Sequence, residues 1–408
     1  MIEFEHISAR NAFLGVEMIL SFEIDNYLSF ASASAVEFVA GARVPDNYHF
    51  IQAGKDRVAK VVGVYGANAS GKTNLLRALP ALANFIADSF SYKLDDTLPF
   101  KPHMFADSKT IRMRIEFEVP GQKDGRYRYS LEATPNRVLS ESLRVKTSKL
   151  FSRVFAREWV EGSYKVTGLG EKHAANLREN VSWLSWLGQY NVPEAISIIQ
   201  YFKQFRSNLV PRGPRIPSLF TTFEAINFYR DQPGYKSRMV DQLNRWDIDI
   251  DGVDIERVDT KEGDENSGHW AAYCVHKRGG SEARLSIFNE SSGTMGMFSL
   301  LSIVLPVLDH GGVAVIDELE ADLHPHMVSA VLNLFVMPDA NPKDAQLIFT
   351  SHADWLMNLL SKPQIVLVEK AEADSEAFQM SEFKGVAARE NFSARYRSGA
   401  YGAVPEID

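Results

Sequence analysis

Eight consecutive residues, Gly66-Ala67-Asn68-Ala69-Ser70-Gly71-Lys72-Thr73, place two glycines, a lysine and a hydroxyl in one short turn before Asn74. Glycines let successive backbone N–H groups point inward, the lysine adds a cation, and the threonine oxygen can ligate a hard metal ion. With a helix following, such a turn suits phosphate oxygens. A second element, Val313-Ala314-Val315-Ile316-Asp317-Glu318, is an apolar run that ends on two carboxylates. There, Asp317 is suited to share Mg²⁺ with Thr73, and Glu318 to act as general base toward water. A third apolar run, Leu347-Ile348-Phe349-Thr350-Ser351, ends at His352, whose ring can hydrogen-bond a phosphate or an attacking water. Finally, Ser291-Ser292-Gly293-Thr294 precedes a helix predicted to start near Met295, and offers N–H groups, a hydroxyl and a helix dipole to an anion. An N-cap serine gives the same pattern.

The elements that must hold these groups are legible in the periodicity. Val61 to Tyr65 reads as a buried strand and Lys72 to about Phe90 as a helix, with the glycine turn between them. Residues 18 to 40 alternate apolar and polar side chains as an N-terminal hairpin would, and 112–118 and 127–131 alternate as strands of the same antiparallel sheet. From about 165 to 265 the period turns mostly helical, with Trp183, Trp186 and Trp246 and a Pro/Gly loop at 211–215. From Trp270 onward strands and helices alternate, including strands at 313–316, 346–350 and 364–369, which predicts a largely parallel sheet. The expected organisation is an N-terminal half over 1–160, a mainly helical insert over 161–265, and a C-terminal half over 266–408.

Composition bounds the partners. A formal net charge of −8 argues against a chain that coats nucleic acid indiscriminately. Regional basic clusters remain, at Arg144, Lys146, Lys149, Arg153 and Arg157, and at Lys203, Arg206, Arg212 and Arg215. One cysteine, Cys274, leaves no intrachain disulfide or thiolate zinc cluster and points to a reducing, cytoplasmic setting. Apolar runs such as Met297 to Leu308 fall short of a membrane span, and the start lacks a signal-peptide pattern.

Taken in order, the phosphate turn, Ser291 to Thr294, the acid pair with Leu323-His324-Pro325 beyond it, and Thr350-Ser351-His352 resemble the Walker A, signature, Walker B, D-loop and H-switch series of ABC-type ATPases. The resemblance implies an α/β P-loop NTPase of ABC/SMC-like type, binding ATP and Mg²⁺, with a mixed sheet, an antiparallel β subdomain and a helical insert. It further implies a homodimer that sandwiches nucleotide. Ser292 and Gly293 would then reach the γ-phosphate of the other subunit, Asp322 would lie near the opposite site, and His352 would be the switch. The signature departs from LSGGQ, and no glutamine has a Q-loop setting, because Leu98-Pro99-Phe100-Lys101-Pro102-His103 occupies that stretch.

The opening Phe22-Glu23-Ile24-Asp25-Asn26-Tyr27-Leu28-Ser29-Phe30 resembles the start of RecF, SMC and overcoming-lysogenization-defect ATPases. The phosphate turn, Leu98-Pro99-Phe100, the acid pair and the tail from Arg395 to Pro405 look like the AAA-type ATP-binding proteins of abortive-infection and related phage-defence operons, including those paired with RloB-like effectors. That likeness implies a sensor or scaffold ATPase whose assembly, in a dimer or higher oligomer, controls a co-encoded effector. Only residues 370–408 follow the last predicted strand, too few for a fused nuclease domain. The alternative is a RecF-like DNA maintenance ATPase, which needs a basic surface for the phosphate backbone.

Overall fold

The computed structural model describes residues 17–41, 44, 47–53, 55–119, 125–146, 148–210, 218–258, 268–387 and 390–404. Alternation builds the first layer. β1 (Met18–Asp25) pairs antiparallel with β2 (Ser34–Glu37), Phe22 opposite Val36. Short strands β3 (Val39–Ala40), β4 (Phe50–Ala53) and β5 (Asp56–Ala59) make a small sheet of their own. The apolar run of β6 (Val61–Tyr65) is wholly buried and leads into α1 (Lys72–Asp88).

Five further strands complete the antiparallel sheet: β7 (Ile111–Glu118), β8 (Arg126–Ala133), β9 (Val138–Lys146), β10 (Phe151–Val160) and β11 (Ser163–Gly168). Their order is β11-β10-β9-β8-β7-β1-β2. This sheet runs past residue 160, because Ser163–Gly168 pairs with β10, Tyr164 lying opposite Trp159.

Helices follow. α2 (Trp183–Gly188) starts where the Ser182 hydroxyl accepts the Leu184 amide, and α3 (Pro193–Lys203) starts with proline in its first turn, where no amide is needed. Both bury large side chains, among them Trp183, Leu187, Tyr201 and Phe202, in the core that also takes Leu75, Leu79 and Ile86 of α1. Next comes β12 (Arg206–Ser207), then α4 (Ser218–Asp231) and α5 (Pro233–Arg245). The loop at 211–215, with Arg212 and Arg215, lies outside the described residues.

The region from Trp270 does not begin as a parallel sheet. β13 (Gly252–Val258), β14 (His269–Arg278) and β15 (Ser281–Ser286) form a three-stranded antiparallel sheet, in which Trp270 faces Arg257. Near-adjacent strands joined by the Gly279-Gly280 turn, both glycines at positive φ, close as a hairpin rather than cross over. Parallel alternation starts with α6 (Ser292–His310), followed by β16 (Val313–Ile316), α7 (Pro325–Val336), β17 (Gln346–Thr350), β18 (Ile365–Ala371), β19 (Asp374–Gln379) and α8 (Phe392–Arg397). α6 is long and apolar enough to cross a membrane, yet 61% of its apolar window is buried inside the fold.

The second sheet has the order β12-β16-β17-β6-β18-β19, parallel except for its last pair. β6, from the N-terminal half, lies between β17 and β18 from the C-terminal half. The two-residue period of a strand sends Val62, Val64, Val313, Val315 and Ile348 into one core and Val61, Tyr65, Ala314, Ile316 and Phe349 into the other. The carboxyl ends of β6, β16 and β17 therefore share one edge, where open parallel sheets place their ligands.

Candidate phosphate-binding site

The chain leaves β6 at Gly66, where a Cβ would stand 2.1 Å from the Val368 carbonyl oxygen, so only glycine lets the loop pass β18. It then turns through Ala69 at φ 60° and Gly71 at φ 111° into α1. Gly71 is the N-cap and offers no side chain, which leaves the first amides of α1 for an anion. Lys72 folds back over this turn, its Nζ donating to the carbonyls of Gly66 and Ala67 at 2.9 Å each. Burial pushes the Lys72 pKa below the usual 10.5, while Asp317, Glu318 and Glu320 act the other way.

Both acids arrive at the end of β16, with β17 lying between that strand and β6. Thr73 Oγ1 lies 3.0 and 3.1 Å from the two carboxylate oxygens of Asp317. Asp317 is buried at the end of β16, and the next residue, Glu318, takes a left-handed φ of 51°. Thr350, at the end of β17, donates its hydroxyl to Asp317 Oδ1 and accepts the Glu318 amide. The His352 amide donates to Glu320 at 2.5 Å. A cavity of about 520 Å³ gathers Asn68, Ala69, Ser70, Gly71, Lys72, Thr73, Asn74, Asp317, Glu318 and His352, together with Ser29, Thr350 and Lys370.

This donor set fits a magnesium nucleotide. A hydroxyl and a carboxylate, both hard oxygen donors, stand side by side, and Mg²⁺ is typically held by one or two carboxylates plus substrate phosphates. Among the described residues no group of three or more His, Cys, Asp or Glu forms a protein-only cage. Ser70 Oγ is buried in the loop without a hydrogen-bond partner.

Ser292, Gly293 and Asp322 lie elsewhere. The helix starts at Ser292, three residues ahead of the position near Met295 that periodicity suggests, because the Ser291 hydroxyl accepts the Thr294 amide at 3.1 Å and caps it earlier. A Cβ on Gly293 would stand 3.3 Å from the Asp322 carbonyl oxygen, so the Ser291–Thr294 turn and Asp322 adjoin each other within one chain. None of the three lines the cavity around Lys72.

Four residues of the site were not singled out for it in the sequence. Ser29 belongs to the Asn26 to Phe30 motif and accepts Nδ2 of Asn74 at 2.9 Å. Thr350 could have been suspected from its place before His352. Lys370 carries no local signal, nor does Asn208, which does not line the cavity but exchanges two hydrogen bonds with the backbone of Asp317. The Leu98 to His103 stretch props the N-terminal motif: the Leu28 amide donates to the Lys101 carbonyl, and the His103 amide to the Asn26 side chain. Arg157 is not a surface cation. It is fully buried, its Nε 2.9 Å from Glu141 Oε2, which removes it from any nucleic-acid face and leaves Arg144 opposite Arg153 on β9 and β10.

Residues 61–358 match the family described as "AAA domain, putative AbiEii toxin, Type IV TA system". No curated protein matches the sequence. Similar solved structures include an Smc head with coiled coil and joint from Pyrococcus yayanosii, at 10% identity and TM-score 0.44 over 94% of this chain and 100% of that one. The SMC head domain from Thermotoga maritima is 11% identical with TM-score 0.40, over 88% of this chain and 98% of that one. The recombination mediator protein RecF is 12% identical with TM-score 0.39, over 90% and 100%.

Proposed function

Because the chain belongs to the family of AAA domains described as "putative AbiEii toxin, Type IV TA system", we propose that it binds and hydrolyses ATP with Mg²⁺, and that the bound nucleotide sets the assembly of an anti-phage sensor or scaffold controlling a separate effector. The observation that carries the hydrolytic part is the hydrogen-bonded series Thr73, Asp317, Thr350, Glu318, in which a phosphate loop, a metal-type carboxylate and a base-type carboxylate meet at one sheet edge.

In this reading the amides of residues 67–73 and the Lys72 ammonium hold the phosphate oxygens, and Thr73 with Asp317 holds the metal. Mg²⁺ held there would supply neutralisation of the charge that develops on the phosphates. Glu318 orients a water and takes its proton as the water oxygen attacks the γ-phosphorus and the bond to the bridging oxygen breaks, leaving ADP and phosphate. His352 hydrogen-bonds the γ-phosphate or that water. Ser292 and Gly293 stand away from the cavity of their own chain, which supports their use in trans, with Asp322 beside the opposite site in a head-to-head homodimer. Closure then requires the γ-phosphate, so ATP favours one assembly over another and hydrolysis resets it.

The test is purification of the Glu318→Gln protein in ATP together with the products of neighbouring genes, followed by mass determination. A stable complex with one neighbour is the expected result. A bare dimer that instead binds DNA in low salt sinks the effector reading in favour of DNA maintenance.

A further inference from the structure

Asn208 follows the two-residue strand β12, which pairs in parallel with β16 through Arg206–Ala314 and Ser207–Val315. The ladder stops there, two residues short of Asp317. Asn208 continues it with its side chain: Nδ2 donates to the Asp317 carbonyl at 2.9 Å, and Oδ1 accepts the Asp317 amide at 2.8 Å. A carboxamide carries the same donor and acceptor as a peptide group, so one side chain here does the work of a strand neighbour on both polar groups of Asp317.

The next residue needs that support. Glu318 sits at φ 51°, a left-handed conformation that a non-glycine residue keeps only when its surroundings enforce it. Thr350 holds its amide from the β17 side, and Asn208 holds the preceding residue from the β12 side.

We propose that Asn208 is a positioning residue for hydrolysis, fixing the backbone at Asp317 so that the two carboxylates leave β16 toward metal and water. The proposal rests on the reading of Asp317 and Glu318 given above. It also gives the region between the two halves a route to the chemistry. The segment carrying Asn208 leaves α3, which shares a core with α1, and closes on the sheet at Gly312, where a Cβ would stand 2.6 Å from Gln204. Beyond it, α4 meets α6, Thr222 Oγ1 lying 3.0 Å from Ser299 Oγ.

The experiment compares wild type, Asn208→Ala and Ser207→Ala. Ser207 serves as control because its hydroxyl donates to the Val315 carbonyl in the same strand pair without touching the acids. Steady-state hydrolysis is titrated with Mg²⁺, and fluorescent ATP binding is measured in EDTA. Loss of an outer-shell partner of a metal site costs roughly 10–100-fold. Asn208→Ala is thus expected to lose at least about tenfold in kcat and to need more Mg²⁺ for half-saturation, with binding in EDTA unchanged, while Ser207→Ala resembles wild type. If Asn208→Ala also loses binding in EDTA, the isosteric Asn208→Asp, which keeps the acceptor, must show the split. Wild-type kinetics in Asn208→Ala, equal loss in Ser207→Ala, or no split in Asn208→Asp overturns the proposal. Equal hydrolysis by wild type and Glu318→Gln overturns the reading of the acids beneath it, whatever Asn208→Ala does.

Discussion

The Thr350 hydroxyl donates to Oδ1 of Asp317 at 2.7 Å while accepting the Glu318 amide at 2.7 Å, so one buried oxygen orients both acids across neighbouring strands. Thr350→Val keeps the shape and removes both bonds. Hydrolysis should fall roughly 10–100-fold, as for other supports of a metal ligand. Leaving the Glu318 amide without its partner should cost about 1–3 kcal/mol in urea unfolding. Thr350→Ser keeps the oxygen and should retain most of the activity; equal loss in both variants would show that the methyl, not the hydroxyl, matters.

Lys72 and Glu318 should separate binding from turnover. Lys72→Ala removes the cation over the loop and is expected to abolish nucleotide binding. Glu318→Gln keeps the loop and should bind ATP, cease to hydrolyse it, and accumulate as a dimer in size-exclusion chromatography with light scattering. A Glu318→Gln protein that turns over ATP at the wild-type rate removes Glu318 from the base role.

The Lys72 pKa is lowered from 10.5, chiefly by burial. The protonated form binds phosphate, so without ligand the site loses its cation at a lower pH than a free lysine does. ATP affinity should therefore hold steady near neutral pH and weaken as pH rises toward that depressed value. Isothermal titration across the alkaline range checks the sign, and affinity that improves with rising pH contradicts it.

Arg157 and Glu141 are both fully buried, and Glu141 also accepts from Tyr129, Ser182 and the Trp183 amide. Arg157→Ala leaves an uncompensated buried charge, and should cost about 3–5 kcal/mol in denaturant unfolding. DNA affinity of the folded fraction, measured at low salt, should not change; a selective loss of DNA binding would restore Arg157 to a nucleic-acid surface.

Cys274 is wholly buried on β14, and burial, with Glu290 adding to it, pushes its thiol up to about 12. At pH 8 it should resist a thiol-specific disulfide reagent until the protein unfolds, because the thiolate is the attacking form. Rapid labelling of native protein would contradict its burial.

The strands at Val61–Tyr65, Val313–Ile316 and Gln346–Thr350 and the helix from Lys72 were legible, because an apolar run of strand length beside a glycine turn or an acid pair is a local pattern. The position of the Gly66–Thr73 turn between β6 and α1, and of the acid pair at the end of β16, was legible for the same reason. The antiparallel sheet at β13 to β15 was not, since periodicity shows that a strand exists and not which neighbour it takes. Nor was the cap at Ser291, which depends on where one hydroxyl points.

By itself, then, the sequence determined the short continuous runs that carry the candidate residues for phosphate, metal and water. Only the tertiary structure decided that Thr350 and Asn208, 33 and 109 residues from Asp317, would hold it, and that Arg157 would be buried rather than exposed. Strand order and register set those contacts, and neither is written in local composition.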